Sequence, residues 1–256
     1  MSERLGELNR RLESGAPLVA AWSSLGDPVV HETLLRAFDV VVLDVQHGLQ
    51  GVHEVREGCA RGALLGTPVI VRVPVGDLAL AARSLDFGAT GVILPMVEGA
   101  ADAAAFARAL CYPPRGTRSF GPARAVDLFG FASGRDYMLA AEKAVLTLAM
   151  IETPSAFAQI DAILAVPELG GVFIGPADLS LAIDPTRLDP TGERTEDAVR
   201  QITAKAKAAG KRVAIYAATV EDARRYAGYG CEIVAVASDI ALLRQASVEA
   251  VRAVKV

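Results

Sequence analysis

Two segments decide the fold of this chain: residues 147–154, which read TLAMIETP, and residues 171–180, which read GVFIGPADLS. Each contains a short apolar run without charge, which is typical of parallel strands buried on both faces. Apolar residues at helical spacing lie between the two runs, so the region reads strand, helix, strand. Such a unit predicts two parallel strands whose carboxyl ends emerge side by side.

A carboxylate lies just past the end of each strand, Glu152 after the first and Asp178 after the second. Neighbouring parallel strands lie about 4.8 Å apart. The pair could therefore share one hard divalent cation, which takes oxygen ligands. Taken singly, each residue is more often a helix cap or a solvated loop charge, and Asp178 could cap a helix that begins near Pro176. The pair is more informative, because backbone amides of that helix start face the same strand end.

The composition bounds the class of protein. The chain has 256 residues, of which 52% are hydrophobic and 22% charged, so residues 1–256 can form a single domain with a sizeable core. The net charge is −4 and the sequence pI is near 5.5. No basic stripe indicates nucleic acid, and no polybasic patch indicates a membrane surface. A small-molecule partner is the expectation that remains.

Segment and cysteine patterns predict a cytoplasmic protein. Residues 1–14 read as a charged amphipathic helix without the apolar core of a signal peptide. No apolar run reaches the roughly 20 residues of a membrane-spanning helix. Cys59, Cys111 and Cys231 are far apart and form no C-x-x-C pair, as expected in a reducing compartment.

Apolar strand patterns recur about eight times, and amphipathic helical patterns lie between most of them. This alternation predicts an α/β protein with a parallel sheet, and about eight units predict closure into a (β/α)₈ TIM barrel. A doubly wound open sheet is the alternative, but no strand is followed by a G-x-G-x-x-G turn. Gly88, Gly170 and Gly210 are predicted to end helices. The predicted strands are residues 18–22, 40–43, 69–73, 91–94, 145–151, 171–174, 212–216 and 233–237, and the clearest helices are 29–38, 52–65, 78–87, 100–110 and 197–209.

In such a barrel the site lies where the strands end. Two longer connections, residues 112–143 and 181–193, interrupt the rhythm, and both are predicted to cover the site. The second strand ends at Asp44, with His47 three residues later. The spacing lets the carboxylate accept a hydrogen bond from one imidazole nitrogen while the other faces a substrate, which orients a general base. A turn stabilised by a side-chain hydrogen bond explains the pair equally well.

Arg72 lies in the otherwise apolar third strand, where burying a guanidinium without an anion is costly. Two partners remain open: a substrate carboxylate or developing enolate, or a structural acid such as Asp86. Arg118, in a loop, is a second possible anion contact, although a solvated surface position explains it better. The histidines His31 and His53 fall in helical patterns and are expected on the surface.

Together, these motifs resemble one family. The set resembles the metal-dependent class II pyruvate aldolases of the HpcH/HpaI group, which act on 4-hydroxy-2-oxoheptanedioate and 2-keto-3-deoxy sugar acids. The similarity spans about residues 15–250, and its specificity lies in the order of the motifs. They are Asp44-x-x-His47-Gly48, Arg72-x-Pro74, VILPMV at 92–97, Tyr112-Pro113-Pro114-x-Gly116-x-Arg118, Ile151-Glu152-Thr153 and FIGPADLS at 173–180.

The resemblance implies a lyase that joins a pyruvate-type enolate to an aldehyde, and reverses that reaction. Glu152 and Asp178 would bind Mg²⁺, Mn²⁺ or Co²⁺, which the oxoacid would chelate. Arg72 would stabilise the enolate oxygen. His47, oriented by Asp44, would move protons at the aldehyde-side oxygen.

The resemblance also implies a substrate carboxylate site at Gly175, Ala177 and Asp178, with backbone amides of the last two as donors. Pyruvate and hydroxypyruvate are the expected nucleophiles. Family members are commonly homohexamers, trimers of dimers, in which the last helix packs on a partner's barrel. Here that helix is predicted over residues 239–254.

Two positions depart from the family pattern: Gln46 stands where many relatives have Glu, and Met150 where many have Gln. Neither is a proposed metal ligand, so we expect catalysis to survive with altered substrate preference. Two other functions remain open. One is a citrate-lyase-β-like enzyme for acyl-CoA or malyl thioesters, which would need basic residues for the CoA phosphates. The other is a non-catalytic metabolite sensor, which would not need a proton shuttle.

Overall fold

The computed structural model describes residues 4–255, in which eight parallel strands close into a barrel in chain order. The predicted (β/α)₈ TIM barrel is confirmed, and each strand lies within two residues of its predicted bounds. No helix in this described range is long and apolar enough to cross a membrane. The strands are β1 (Leu18–Ser23), β2 (Val40–Asp44), β3 (Val69–Arg72), β4 (Gly91–Leu94), β5 (Leu146–Ile151), β6 (Gly171–Ile174), β7 (Arg212–Ala217) and β8 (Ile233–Ser238).

Helices alternate with the strands around the outside of the barrel. In chain order they are α1 (Glu7–Glu13), α2 (Pro28–Ala37), α3 (Val52–Leu65), α4 (Leu78–Asp86), α5 (Ala100–Leu110), α6 (Ala123–Phe129), α7 (Gly134–Ala144), α8 (Pro154–Ala158), α9 (Ile160–Leu164), α10 (Pro176–Ile183), α11 (Glu193–Ala208), α12 (Val220–Tyr229) and α13 (Asp239–Lys255).

Alternate residues of each strand face the barrel interior, where they form one buried apolar cluster. On β1, for example, Ala20 and Trp22 join this cluster, while Ala21 packs outward with the helices. Leu8 and Leu12 of α1 belong to the same interior cluster. Helix α1 therefore closes the amino-terminal end of the barrel, and side chains at the carboxyl ends of the strands surround the other end.

The helices differ from the sequence predictions in three places. The single helix expected after Glu152 is two short helices, α8 and α9, and Gln159 lies between them. Helix α11 begins at Glu193, four residues before its predicted start. Gly88 and Gly210 follow helices at positive φ, as expected of helix ends. Gly170, predicted to end a helix, instead leads directly into β6.

The connection at residues 112–143 does not cover the site, so that prediction was wrong. It forms α6 and α7, and Ala125, Phe129 and Tyr137 pack there in a cluster with Leu5. The connection follows α5, whose chain direction has already returned it to the amino-terminal end of the barrel. The second connection, which α10 partly fills, does lie on the carboxyl side.

Arg118 is neither a surface residue nor an anion site at the barrel mouth. Its side chain is 1% exposed, and Nη2 donates a 2.6 Å hydrogen bond to Asp86 Oδ1. The guanidinium lies 4.5 Å from the centre of the Tyr112 ring. Asp86 is therefore the partner of Arg118, and the prediction that it could pair with Arg72 was wrong.

This buried pair predicts an asymmetric effect on stability. We expect Asp86→Ala to lower the free energy of unfolding by about 3 kcal/mol or more, because it leaves the Arg118 charge buried without a partner. Asp161→Ala is the control, since Asp161 is 76% exposed in its pair with Lys205. It should cost less than about 1 kcal/mol. Urea unfolding of both variants measures the difference, and equal effects would contradict this account.

Candidate active site

The Asp44 carboxylate is the most heavily bonded group at the carboxyl end of the barrel. The register of β2 and β3 pairs Asp44 with Arg72. Arg72 donates from Nε to Oδ1 at 2.9 Å and from Nη2 to Oδ2 at 2.7 Å. Trp22 Nε1 donates to Oδ2 at 3.3 Å, and the guanidinium lies 4.7 Å from the Trp22 ring centre. This bidentate geometry fixes the orientation of Arg72.

His47 is held through its backbone and not through its ring. The amides of Gln46 and His47 donate to Asp44 Oδ1 at 3.1 and 3.3 Å. The hydrogen bond predicted from the imidazole to Asp44 is absent, because the carboxylate accepts from Arg72 instead. The ring is exposed and bonds to no residue within 4–255. A Cβ at Gly48 would lie 2.2 Å from the Asp44 carbonyl oxygen, so this tight turn requires glycine.

A second layer of hydrogen bonds supports this loop. Asp239, buried at the start of α13, accepts from the amides of Ser24 and Leu25 at 2.9–3.0 Å. The Leu49 amide donates to the Ser24 carbonyl at 2.7 Å. The β1 loop therefore links α13 to the loop that carries His47.

His31 also belongs to this support, so its predicted surface position was wrong. It is 1% exposed, and Nε2 lies 3.1 Å from Gln50 Oε1. Gln50 in turn donates to the Ser23 carbonyl at 2.6 Å. His53 is exposed, as predicted.

Glu152 follows β5 and is 3% exposed. Its Oε1 accepts a 2.8 Å hydrogen bond from the Met96 amide, while Oε2 is buried without a partner among the described residues. A Cβ at Gly175 would lie 2.4 Å from this free oxygen, so glycine there leaves room for it. Met96 holds its amide in place with a left-handed backbone, φ 53°, which is costly for a non-glycine residue.

Asp178 lies in the first turn of α10, for which Gly175 is the N-cap residue. Pro176 is the first helical residue and has no amide hydrogen. The amides of Ala177 and Asp178 follow it, and such first-turn donors have no acceptor within their own helix. With the helix dipole they can bind an anion. The Asp178 side chain itself is exposed.

One cavity of about 160 Å³ brings these groups together. Of the predicted residues, Arg72, Glu152, Gly175, Ala177 and Asp178 line it, whereas Asp44 lies behind Arg72 and His47 lies outside the lining. A larger, open depression of about 790 Å³ at the amino-terminal end contains none of them. The complete lining is Trp22, Arg72, Met150, Glu152, Phe173, Gly175, Pro176, Ala177, Asp178 and Tyr216.

Sequence reasoning missed Trp22, Phe173 and Tyr216. Each occupies an inward-facing position near the carboxyl end of its strand, and that alternation was a signal that could have identified them. The Met96 amide could not have been identified, because a backbone donor leaves no trace in residue type. Of the two departures, Met150 lines the cavity, and the buried side-chain oxygen of Gln46 accepts no hydrogen bond from residues 4–255.

The surroundings of Glu152 disfavour its charged form. Burial raises the pKa of Glu152 to about 7, although the hydrogen bond from Met96 lowers it. The negative charge of Asp178 raises it further, and Arg72 lowers it. The free, buried Oε2 of Glu152 is therefore suited to contact with a bound cation. Within residues 4–255 no three His, Cys, Asp or Glu side chains cluster, so protein ligands to a cation would number two, Glu152 and Asp178.

The raised pKa predicts a pH effect on folding. Between pH 4.5 and about 7 the folded protein keeps a proton on Glu152 that the unfolded chain has released. The metal-free protein should therefore lose stability as pH rises through this range, by up to about 3 kcal/mol. Urea unfolding in EDTA at pH 5 and 7.5 measures this. Glu152→Gln should have the smaller loss, and an equal loss would contradict the assigned pKa.

The fold and the site are those of a barrel lyase that makes and breaks carbon–carbon bonds. The chain belongs to the HpcH/HpaI aldolase/citrate lyase family, whose sequence model matches residues 20–246. It is an aldolase, as the resemblance implied.

The similarity of this chain to known relatives extends over nearly its whole length. A hydroxypyruvate/pyruvate aldolase from Rhizorhabdus wittichii is 39% identical over 235 residues, which are 91% of this chain and 92% of the relative. A 5-keto-4-deoxy-D-glucarate aldolase from Escherichia fergusonii is 33% identical over 228 residues, 88% of each chain. The crystal structure of a family protein from Burkholderia cenocepacia J2315 has a TM-score of 0.88 and 28% identity, and covers 98% of this chain and 100% of its own. The acyl-CoA alternative is not favoured by these relatives.

Proposed function

We propose that this enzyme catalyses the reversible, divalent-metal-dependent addition of a pyruvate-type 2-oxoacid to an aldehyde. The observation that carries the proposal is the buried, unpartnered Oε2 of Glu152, in one cavity with Arg72 and the start of α10. Pyruvate and hydroxypyruvate are the proposed nucleophiles. Relatives named hydroxypyruvate/pyruvate aldolases support that choice.

Glu152 and Asp178 would hold the cation, Mg²⁺, Mn²⁺ or Co²⁺. Their carboxylate oxygens are the ligands that such hard cations prefer, and two carboxylates leave positions for substrate oxygens. When bound, the cation would polarise the keto group and offset the negative charge of the enolate.

The start of α10 would bind the oxoacid carboxylate. The amides of Ala177 and Asp178 would donate to it, and the absence of a side chain at Gly175 allows close approach. Arg72 would donate to the enolate oxygen. Nε and one N–H of Nη2 are bonded to Asp44, so the two N–H groups of Nη1, which bonds to no residue of the described range, and the second N–H of Nη2 are the donors left for the substrate.

His47 would carry the proton. In the addition direction the imidazole would first take a C3 proton from the oxoacid, which leaves the enolate. The enolate carbon would then attack the aldehyde carbon, the carbon–oxygen π bond would break as the carbon–carbon bond forms, and the aldehyde oxygen would take the proton from the imidazole. In cleavage the imidazole removes that proton, and the bond breaks to give the enolate and the aldehyde. Asp44 would position His47 through the backbone of its loop. A metabolite sensor would need none of these proton transfers.

We also propose that the whole chain, residues 1–256, is one aldolase domain that assembles as a homohexamer, a trimer of dimers, in the cytoplasm. The exposed apolar side chains Leu243, Val248 and Val251 support packing of α13 on a partner's barrel. The three cysteines are free, which agrees with a reducing compartment. Light scattering that gave a monomeric mass would remove the assembly proposal.

Metal dependence is tested by following the pyruvate and glycolaldehyde adduct by NMR. We expect EDTA to abolish addition, and Mn²⁺, Co²⁺ or Mg²⁺ to restore it, because Asp44 already balances the charge of Arg72 and the enolate charge then needs the bound cation. Glu152→Gln should not be restored. Glu98→Gln is the control, since Glu98 is exposed just beyond β4 and outside the cavity lining.

Full activity of the wild-type enzyme after chelation would refute the metal proposal. No lysine lines the cavity, so borohydride with pyruvate should trap no covalent adduct.

The role of His47 separates proton transfer from metal binding. We expect His47→Ala to slow addition by about 10²-fold, the usual scale for a general acid–base group, and to leave Mn²⁺ affinity unchanged. His53→Ala is the matched control, because His53 is exposed on α3 and contacts Arg56. Calorimetric titration of His47→Ala with Mn²⁺ measures the affinity. A loss of Mn²⁺ affinity as large as the loss of rate would instead indicate that His47 is a metal ligand.

A further inference from the structure

Tyr216 is the one residue of the cavity wall with a neutral hydroxyl group, and the proposed chemistry does not use it. It lies near the end of β7 and is half-buried. Its ring meets the Trp22 ring edge-on, with centroids 5.4 Å apart and planes at 75°. Trp22 is in turn bonded to Asp44. The phenol is therefore held in a fixed orientation beside the site.

The Tyr216 hydroxyl bonds to no residue in the described part of the chain, although phenols in such partly apolar sites usually find a partner. Burial raises the pKa of Tyr216, so the group is a neutral donor and acceptor at physiological pH. A hydroxyl that lines a cavity without a protein partner is available to a ligand.

The rest of the wall offers no comparable group. Met150, Phe173 and Pro176 present apolar surface. The Trp22 indole N–H is already donated to Asp44. The remaining polar groups are charged side chains or the amides at the start of α10, which the proposed function assigns to the cation, the carboxylate and the enolate oxygen. Discrimination among uncharged parts of the substrates therefore falls to Tyr216.

We propose that Tyr216 determines specificity for hydroxylated substrates by a direct hydrogen bond to a hydroxyl on the carbon next to a reacting carbonyl carbon. This inference rests on the proposed function and deepens it. The hydroxyl can come from the nucleophile, as in hydroxypyruvate, or from the acceptor, as in glycolaldehyde. A substrate without that hydroxyl cannot form this hydrogen bond, and a site that hydrogen-bonds a substrate hydroxyl discriminates against the analogue that lacks it.

The test is the substrate preference of Tyr216→Phe, which removes one oxygen atom and keeps the ring. One arm compares kcat/KM for hydroxypyruvate and pyruvate with acetaldehyde as acceptor. The other compares glycolaldehyde and acetaldehyde with pyruvate as nucleophile. We expect the ratio in one arm to fall about 3- to 10-fold in the variant, the value of one neutral hydrogen bond. The arm that changes identifies which substrate carries the hydroxyl.

Tyr112→Phe is the matched control. Among the described residues the Tyr112 hydroxyl has no hydrogen-bond partner either, but it is buried in the cluster at the amino-terminal end of the barrel. This variant should keep both ratios of the wild-type enzyme.

Unchanged ratios in Tyr216→Phe would overturn the inference, and so would an equal loss with all three substrate pairs, which indicates a packing role. Either result leaves EDTA-sensitive addition of pyruvate to acetaldehyde by the wild-type enzyme as a separate measure of the proposed function.

Discussion

The arrangement of the site depends on one buried ion pair, Asp44 with Arg72. A buried pair offsets the cost of removing two charges from water only when its geometry is good and its remaining atoms are bonded. Here the carboxylate accepts both arms of the guanidinium, the Trp22 indole and two backbone amides. The same contacts fix three parts of the site: the guanidinium, the indole that orients Tyr216, and the loop that carries His47. Removing the carboxylate would leave Arg72 buried without a partner and release all three.

Much of this architecture could be predicted from local sequence. Strands buried on both faces read as short apolar runs, and in a closed barrel the residues that follow them must lie at one end. Glu152 and Arg72 were identified as candidates in this way, because each is a charged residue at the end of an apolar strand, and for Arg72 the structural partner that was left open is Asp44. Gly175 could be placed at the site from the sequence. That it leaves room for Glu152 Oε2 is a tertiary contact, which the local sequence does not indicate.

The wrong predictions had three different causes, and the first is a contact between segments far apart in sequence. Nothing local to Arg118 indicates that Asp86, 32 residues away, is its partner. The position of residues 112–143 was an error of a different kind, since the helical pattern at 100–110 already implied that the chain had returned to the amino-terminal end. The predicted hydrogen bond from the His47 ring to Asp44 was wrong, because other donors compete for the same carboxylate and that prediction did not count them.

The charges of the site explain why a divalent cation is the fitting partner. Arg72 is the one cationic side chain of the cavity lining, and the fork it presents is bonded to Asp44. These two charges cancel, so Glu152 and Asp178, when both ionised, leave two negative charges at the cavity. Without a cation, burial and, to a smaller extent, the charge of Asp178 raise the pKa of Glu152 to about 7, which favours a proton on this carboxyl group. A cation of charge +2 would balance both carboxylates and give the buried Oε2 its partner. Because it would bind the folded chain and not the unfolded one, it would also stabilise the fold. The two carboxylates that lower the stability of the metal-free protein are thus the proposed ligands of the cation.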